Sequence, residues 1–144
     1  MRNTILFSIF ILFLFSCKKN KYTTAPQLKY KEVNTKALHR GETLRFTLSF
    51  TDAEGDLTYK IFIQKLTRPC RNDPSGGFID SSHTIPSFPT GKNQSGEIII
   101  TYSYNDVTPQ CAPRNDTAVF KFVLRDKAQN KSDTAVSDAI IIFN

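Results

Sequence analysis

The stretch Leu44-Arg45-Phe46-Thr47-Leu48-Ser49-Phe50 constrains the fold most strongly. Leu44, Phe46, Leu48 and Phe50 alternate with Arg45, Thr47 and Ser49. A period of two places the apolar side chains on one face of a strand and the polar ones on the other. Wound into a helix, the same residues would scatter around the cylinder and bury nothing coherently. The pattern recurs along the chain. Leu57 to Gln64 sets Leu57, Tyr59, Ile61 and Ile63 on one face. Glu97 to Tyr104 does so with Ile98, Ile100, Tyr102 and Tyr104, and Ala118 to Arg125 with Phe120, Phe122 and Leu124. Ala135 to Phe143 is β-branched and apolar enough for a central last strand. Leu28 to Val33 is a weaker first strand, and Phe78 to Ile85 a short one. Gly, Pro, Asn and Asp punctuate every interval, and no window shows helical spacing.

Seven short strands separated by such turns predict an all-β fold, a seven-stranded antiparallel immunoglobulin-like sandwich over residues 28–144. That length is enough to bury a single core. Trp is absent and no Cys pair falls on the second and sixth strands, so an antibody-type domain is excluded. Up-and-down alternation sends the loop after Phe50 and the loop after Arg125 to one end, with the start of the first strand. The loops holding Cys70 and Cys111 fall at the other end.

The N-terminus carries a different signal. Arg2 precedes an apolar run from Ile5 to Phe15, shorter than the ~20 residues a spanning helix needs. It fits the hydrophobic region of a secretory signal, here residues 1–16. Leu14-Phe15-Ser16-Cys17 resembles a bacterial lipobox. That resemblance implies lipidation of Cys17 and anchoring in a membrane, with 17–27 as a lipidated flexible tether. The formal charge of +6 belongs largely to this region. Removing Arg2, Lys18, Lys19 and Lys21 leaves 15 basic residues against 13 acids. The globular part is therefore near balance and offers no nucleic-acid footprint. In an exported chain Cys70 and Cys111 are expected to pair as a disulfide. Its loop of about 42 residues would stabilise the fold by about 4 kcal/mol.

Ser49-Phe50-Thr51-Asp52-Ala53-Glu54-Gly55-Asp56-Leu57 concentrates acids in one turn. Asp126 and Asn130 lie in the last hairpin, which the topology brings to the same end. Asp52, Glu54, Asp56, Asp126 and Asn130 offer the oxygen donors that calcium takes, six to eight at a time. The spacing is not that of an EF-hand. The other reading is a solvated turn, since Asp and Gly are turn residues in their own right. Both readings stand on the sequence.

Phe50-Thr51-Asp52-Ala53-Glu54-Gly55-Asp56-Leu57 and Arg125-Asp126-Lys127-Ala128-Gln129-Asn130-Lys131-Ser132 resemble paired turns of small Bacteroidota-type cell-envelope lipoproteins with a single Ig-like or cadherin-like domain. Gln129 stands where that family usually has Gly. The resemblance implies a lipid-anchored domain on a cell-envelope membrane, the outer membrane facing the periplasm, with surface exposure as the alternative. At the opposite end Arg68, Arg71 and Arg114 read either as a partner patch for an acidic ligand or envelope protein, or as solvated arginines beside Asp73, Asp106 and Asp116. The expected function is a non-catalytic structural or protein-binding domain, stabilised by Ca2+ if the acids bind it. The alternative is a ligand-binding accessory for glycans or nutrient uptake. The two lone histidines, His39 and His83, give no basis for a nucleophilic site.

Overall fold

The computed structural model describes residues 21–57, 60–68, 78–86, 91–110 and 113–144, and the side chains of 78–80 are set aside. The expected signal segment, Cys17, Cys70, Arg71, Asp73 and Cys111 lie outside the described residues.

Nine strands form among the described residues: β1 (Gln27–Val33), β2 (Ala37–Leu38), β3 (Thr43–Asp52), β4 (Lys60–Thr67), β5 (Phe78–Thr84), β6 (Gln94–Ser103), β7 (Asp116–Arg125), β8 (Ala135–Val136) and β9 (Ile140–Ile142). A single 3₁₀ turn, Tyr104–Asp106, follows β6, and no α-helix occurs among the described residues. One sheet runs β1-β3-β6, and the other runs β2-β9-β7-β4-β5 with β8 also on β7. All pairings are antiparallel except β2 on β9, which is parallel. No helix among the described residues is long and apolar enough to cross a membrane.

The two sheets face each other across one core. Leu44, Phe46, Leu48 and Phe50 of β3 point inward, as their alternation requires. Ala118, Phe120, Phe122 and Leu124 of β7 meet them. The Phe46 ring lies 4.7 Å from that of Phe120 and 5.1 Å from that of Phe122, tilted and edge-on rather than stacked flat. Such aromatic pairs add about 1 kcal/mol beyond their area burial. Ile61 and Ile63 of β4, with Ile140 and Ile142 of β9, complete the layer.

Two departures from the seven-strand expectation have local causes. Thr35 turns the chain by bonding both ways with Ala37, accepting from its N–H and donating to its carbonyl. That turn delivers Ala37 and Leu38 to the edge of β9, where Ile141 N–H donates to the Lys36 carbonyl and Phe143 N–H to that of Leu38. The last strand is split. Ser137 N–H donates to the Phe120 carbonyl, but Phe120 N–H donates to the Ser137 hydroxyl instead of a backbone carbonyl. Ser132 does the same with Leu124. Twice, then, a serine hydroxyl substitutes for a ladder carbonyl. The strand bends while no buried N–H of β7 is left unpaired at those points.

Antiparallel order gathers the ends as the alternation predicts. The exit of β3, the entry of β6, the exit of β7 and the entry of β1 share one end. The 3₁₀ turn, the exit of β4 and the entry of β7 share the other.

Candidate metal site at the tether end

The alternation of β3 runs two residues past its apolar stripe, so Asp52 occupies the next inward position. Asp52 is completely buried. One carboxylate oxygen, Oδ2, accepts the N–H groups of Gly55 (2.5 Å) and Asp56 (3.2 Å) and so shapes the turn. The turn needs Gly at position 55: φ is +74°, and an added Cβ would meet the Gly91 carbonyl oxygen at 2.0 Å. The other oxygen, Oδ1, is buried without a hydrogen-bond partner, as is Oδ1 of Asp56. Burial pushes the Asp52 carboxyl above the usual carboxylate range, and the nearby charges of Asp56 and Asp126 push the same way. The two backbone N–H groups oppose this.

The last hairpin supplies the other wall. Asp126 is also completely buried. Its Oδ1 accepts Asn130 N–H (2.8 Å) and its Oδ2 accepts the Asn130 side-chain amide (2.9 Å). Lys127 N–H donates to the Asp56 carbonyl at 3.2 Å, stitching the two loops together. Gln129 has a φ of +72°, the left-handed backbone that glycine takes without cost. The turn therefore keeps a shape suited to glycine despite the side chain.

Oxygen atoms of Glu54, Asp56 and Asp126 come within 4.8 Å of one another, from an exposed, a half-buried and a buried residue. Three of the five expected ligands thus converge. Asp52 lies beneath them as the frame of the turn. Asn130 spends its amide holding Asp126 in place. The donors are all hard carboxylate oxygens with no His or Cys among them, a set that suits calcium or magnesium rather than zinc or copper.

Residues 21–23 reach this loop. Thr51 Oγ1 donates to the Lys21 carbonyl (3.0 Å), and Ala53 N–H donates to the Thr23 carbonyl (3.2 Å). The Ala53 carbonyl in turn accepts Asn93 N–H. The residue between Asp52 and Glu54 is thereby pinned on both sides.

At the opposite end Arg68 and Arg114 are exposed. Asp106 and Asp116 are each held by groups other than the arginines. Asp106 Oδ2 accepts the N–H and hydroxyl of Ser103, capping the 3₁₀ turn. Asp116 is buried and lies 3.9 Å from Lys65 Nζ, also buried. Lys65 Nζ donates to the carbonyls of Val107 (3.1 Å) and Thr108 (3.0 Å). Burial lowers the Lys65 ammonium from its ordinary value, and Asp116 partly restores it. This pair was legible in principle: Lys65 continues the inward phase of Ile61 and Ile63, and Asp116 that of Ala118 and Phe120.

No family model matches the chain, and no curated protein does. Among solved structures the chain resembles the sporulation control protein Spo0M from Bacillus subtilis, with a TM-score of 0.50 and 15% identity, covering 85% of this chain and 51% of that one. The chain thus spans about half the length of Spo0M. It also matches the alkylpurine DNA glycosylase AlkC from Pseudomonas fluorescens, bound to DNA containing an abasic site analog (TM-score 0.42, 9% identity, covering 80% and 30%). A β-glucosidase from Listeria innocua in complex with gluconolactone follows (0.44, 10%, 83% and 16%). At these identities the likeness to Spo0M speaks for the fold alone, and the other two carry no argument.

Proposed function

We propose that this chain is a non-catalytic, immunoglobulin-like domain held at a cell-envelope membrane by a lipid on Cys17, and that a calcium ion at its tether end fixes the domain on its anchor. One observation carries the cation: Asp52 is fully buried with an unpartnered oxygen, under a group of three further carboxylates. Isolated buried carboxylates are strongly disfavoured unless they are neutralised or coordinate a metal. Asp56 and Asp126 act on Asp52 as repelling neighbours, so they aggravate the cost. A divalent cation attracts each of these carboxylates and offsets their mutual repulsion. Glu54, Asp56 and Asp126 would hold it, while Asp52 and Asn130 keep the two loops in shape.

The role follows from position. Lys21 and Thr23 bond to the residues that flank the acids. A cation that stiffens this loop also stiffens the exit of the tether, so it sets how the domain stands on the membrane. By the resemblance of the paired turns to cell-envelope lipoproteins, that membrane is the outer one, with the domain on its periplasmic side.

The test is a thermal melt of residues 22–144 in excess EDTA and then in millimolar calcium. Saturation at about 100 times Kd adds about 2.7 kcal/mol, several degrees for a domain of this size. Asp56→Asn with Asp126→Asn should abolish the shift. An unchanged melt in calcium returns the loop to a plain turn. Radiolabelled palmitate incorporated by the full chain but not by Cys17→Ala tests the anchor separately.

A further inference from the structure

We propose that β6 is the seam of a homodimer, pairing antiparallel with the β6 of a second copy through a two-fold axis at Ile99. The sheet β1-β3-β6 has two outer edges, and they are built differently. The β1 edge carries exposed Lys29, Lys31 and Glu32, and its register slips between Tyr30 and Glu32. Charge and a bulge are the ordinary devices that keep an edge from pairing with another chain. β6 has neither. Its register with β3 is unbroken from Gln94 to Ser103. It contains no proline and no lysine, and its centre is Ile98-Ile99-Ile100-Thr101-Tyr102. Among the described residues no strand pairs with its outer edge. β2, by contrast, is only two residues long.

Ile99 is 61% exposed, more than Val136 at 47% or Ile141 at 43%. Beside the same edge runs a groove of about 840 Å³ whose apolar lining includes Phe50, Leu57, Ile61, Ile98 and Ile100. An added strand in the plane of this sheet would bring its own Ile98 and Ile100 beside that lining.

Charge selects the occupant and the register. The solvent face of β6 reads Ser95, Glu97, Ile99, Thr101, Ser103, with one charge, and Glu97 already pairs with Lys31 of β1. Centred on Ile99, a two-fold places Ile99 against Ile99, Glu97 against Thr101 and Ser95 against Ser103. The two Glu97 carboxylates then stand four positions apart, about 14 Å at strand rise, beyond the screening length of about 8 Å. A centre at residue 97 would oppose Glu97 to itself, and a centre at residue 98 would set Glu97 against Ile99. A centre at residue 100 would set Glu97 against Ser103 and each Ile99 against Thr101, so only the centre at residue 99 brings the two exposed Ile99 side chains together.

Cysteine cross-linking of the full chain in membranes reads that register. Residues directly opposite in an antiparallel pair have Cα atoms about 4.5–5.5 Å apart, inside the range of about 4.4–6.8 Å that a disulfide spans. Under mild oxidation Ile99→Cys should give a covalent dimer that the parent chain does not. Glu97→Cys and Thr101→Cys should cross-link to each other when co-expressed and not when expressed singly. Ile99→Lys should shift the chain from dimer to monomer in light scattering, remove the concentration dependence of the melt, and leave unchanged the melt at dilutions where the parent is also monomeric. Absence of the Ile99→Cys dimer, equal dimer from Val136→Cys, or cross-linking to a species of another mass would each overturn the proposal.

Discussion

The two ends of the molecule handle buried charge in opposite ways. At the end with the 3₁₀ turn, Lys65 is buried, but two carbonyls and Asp116 surround it. The charge is enclosed, faces an opposite charge and makes two hydrogen bonds within the chain. At the end with the turn after β3, Asp52 and Asp126 are equally buried, but the charges that act on Asp52 are those of the acids Asp56 and Asp126, and oxygens of Asp52 and Asp56 have no hydrogen-bond partner. One network is complete and the other is open on one side. Burial alone therefore does not identify a ligand site. The sign of the neighbours and the unmet oxygens do.

Breaking the closed end should have the largest effect. Lys65→Met leaves Asp116 buried with no cation, and such one-sided removal costs about 3–5 kcal/mol. A urea titration of the variant should show the loss unchanged by EDTA or calcium. Adding Asp116→Asn should recover much of it, since both charges are then gone. Equal losses in single and double variants would dissolve the contrast between the ends.

Gly55→Ala strikes the open end through its backbone. The left-handed φ and the collision with the Gly91 carbonyl should cost about 2 kcal/mol in thermal melts. Calcium-induced stabilisation should shrink with it, because the turn that carries Glu54 and Asp56 is displaced.

Asp52→Asn sharpens the comparison with a smaller change of the other sign. The folded state holds a proton on Asp52 at pH values where the unfolded chain has released it. Stability in EDTA therefore falls as pH rises from the ordinary carboxylate value through the raised one. Asn keeps an acceptor for the Gly55 and Asp56 N–H groups and removes the repulsion. The variant should gain about 1 kcal/mol near neutral pH in EDTA and flatten this part of the pH profile. Urea midpoints followed from about pH 4 to 7 in EDTA measure it. Lys65 predicts the opposite slope at high pH. Its value is lowered, so stability rises with pH between that lowered value and the ordinary lysine value.

Gln129→Gly is the smallest test. Relief of a left-handed glutamine should gain about 0.5–1 kcal/mol, less the entropy of a freer unfolded chain. Calcium response should be retained, since Asp126 and Asn130 are untouched. A loss of stability would show that the Gln129 side chain supports the turn through its contacts with Arg125 and Lys127.

The strands with a strict period were legible from the chain. β3, β4, β6 and β7 carry the inward stripes that alternation predicts, because a strand with one buried face repeats every second residue. β4 begins at Lys60, leaving Leu57 before it and Tyr59 outside the described residues, and β6 begins at Gln94. The inward phase also named most of the core. Tyr104 was misassigned to β6: it is buried, but on the 3₁₀ turn, with its hydroxyl donating to the Phe143 carbonyl. The split of the last strand was hidden because it depends on Ser132 and Ser137 finding the N–H groups of Leu124 and Phe120, partners distant in sequence. β2 was hidden for the same reason. Two residues carry no period, and only the edge of β9 makes them a strand.

Side-chain periodicity is a local property, so the sequence alone determined that this chain is built from strands, which faces are buried and which loops share an end. It also marked Asp52, Glu54, Asp56 and Asp126 as neighbours before any coordinates existed. Only the tertiary structure decided which of these acids meet, that Asp52 and Asp126 lose all contact with water, and that Lys65 does not stand alone. Those outcomes depend on the distance between loops some seventy residues apart, and on whether a neighbouring dipole or charge arrives with the right sign. Electrostatic cost is set by surroundings, and surroundings exist only once the chain has folded.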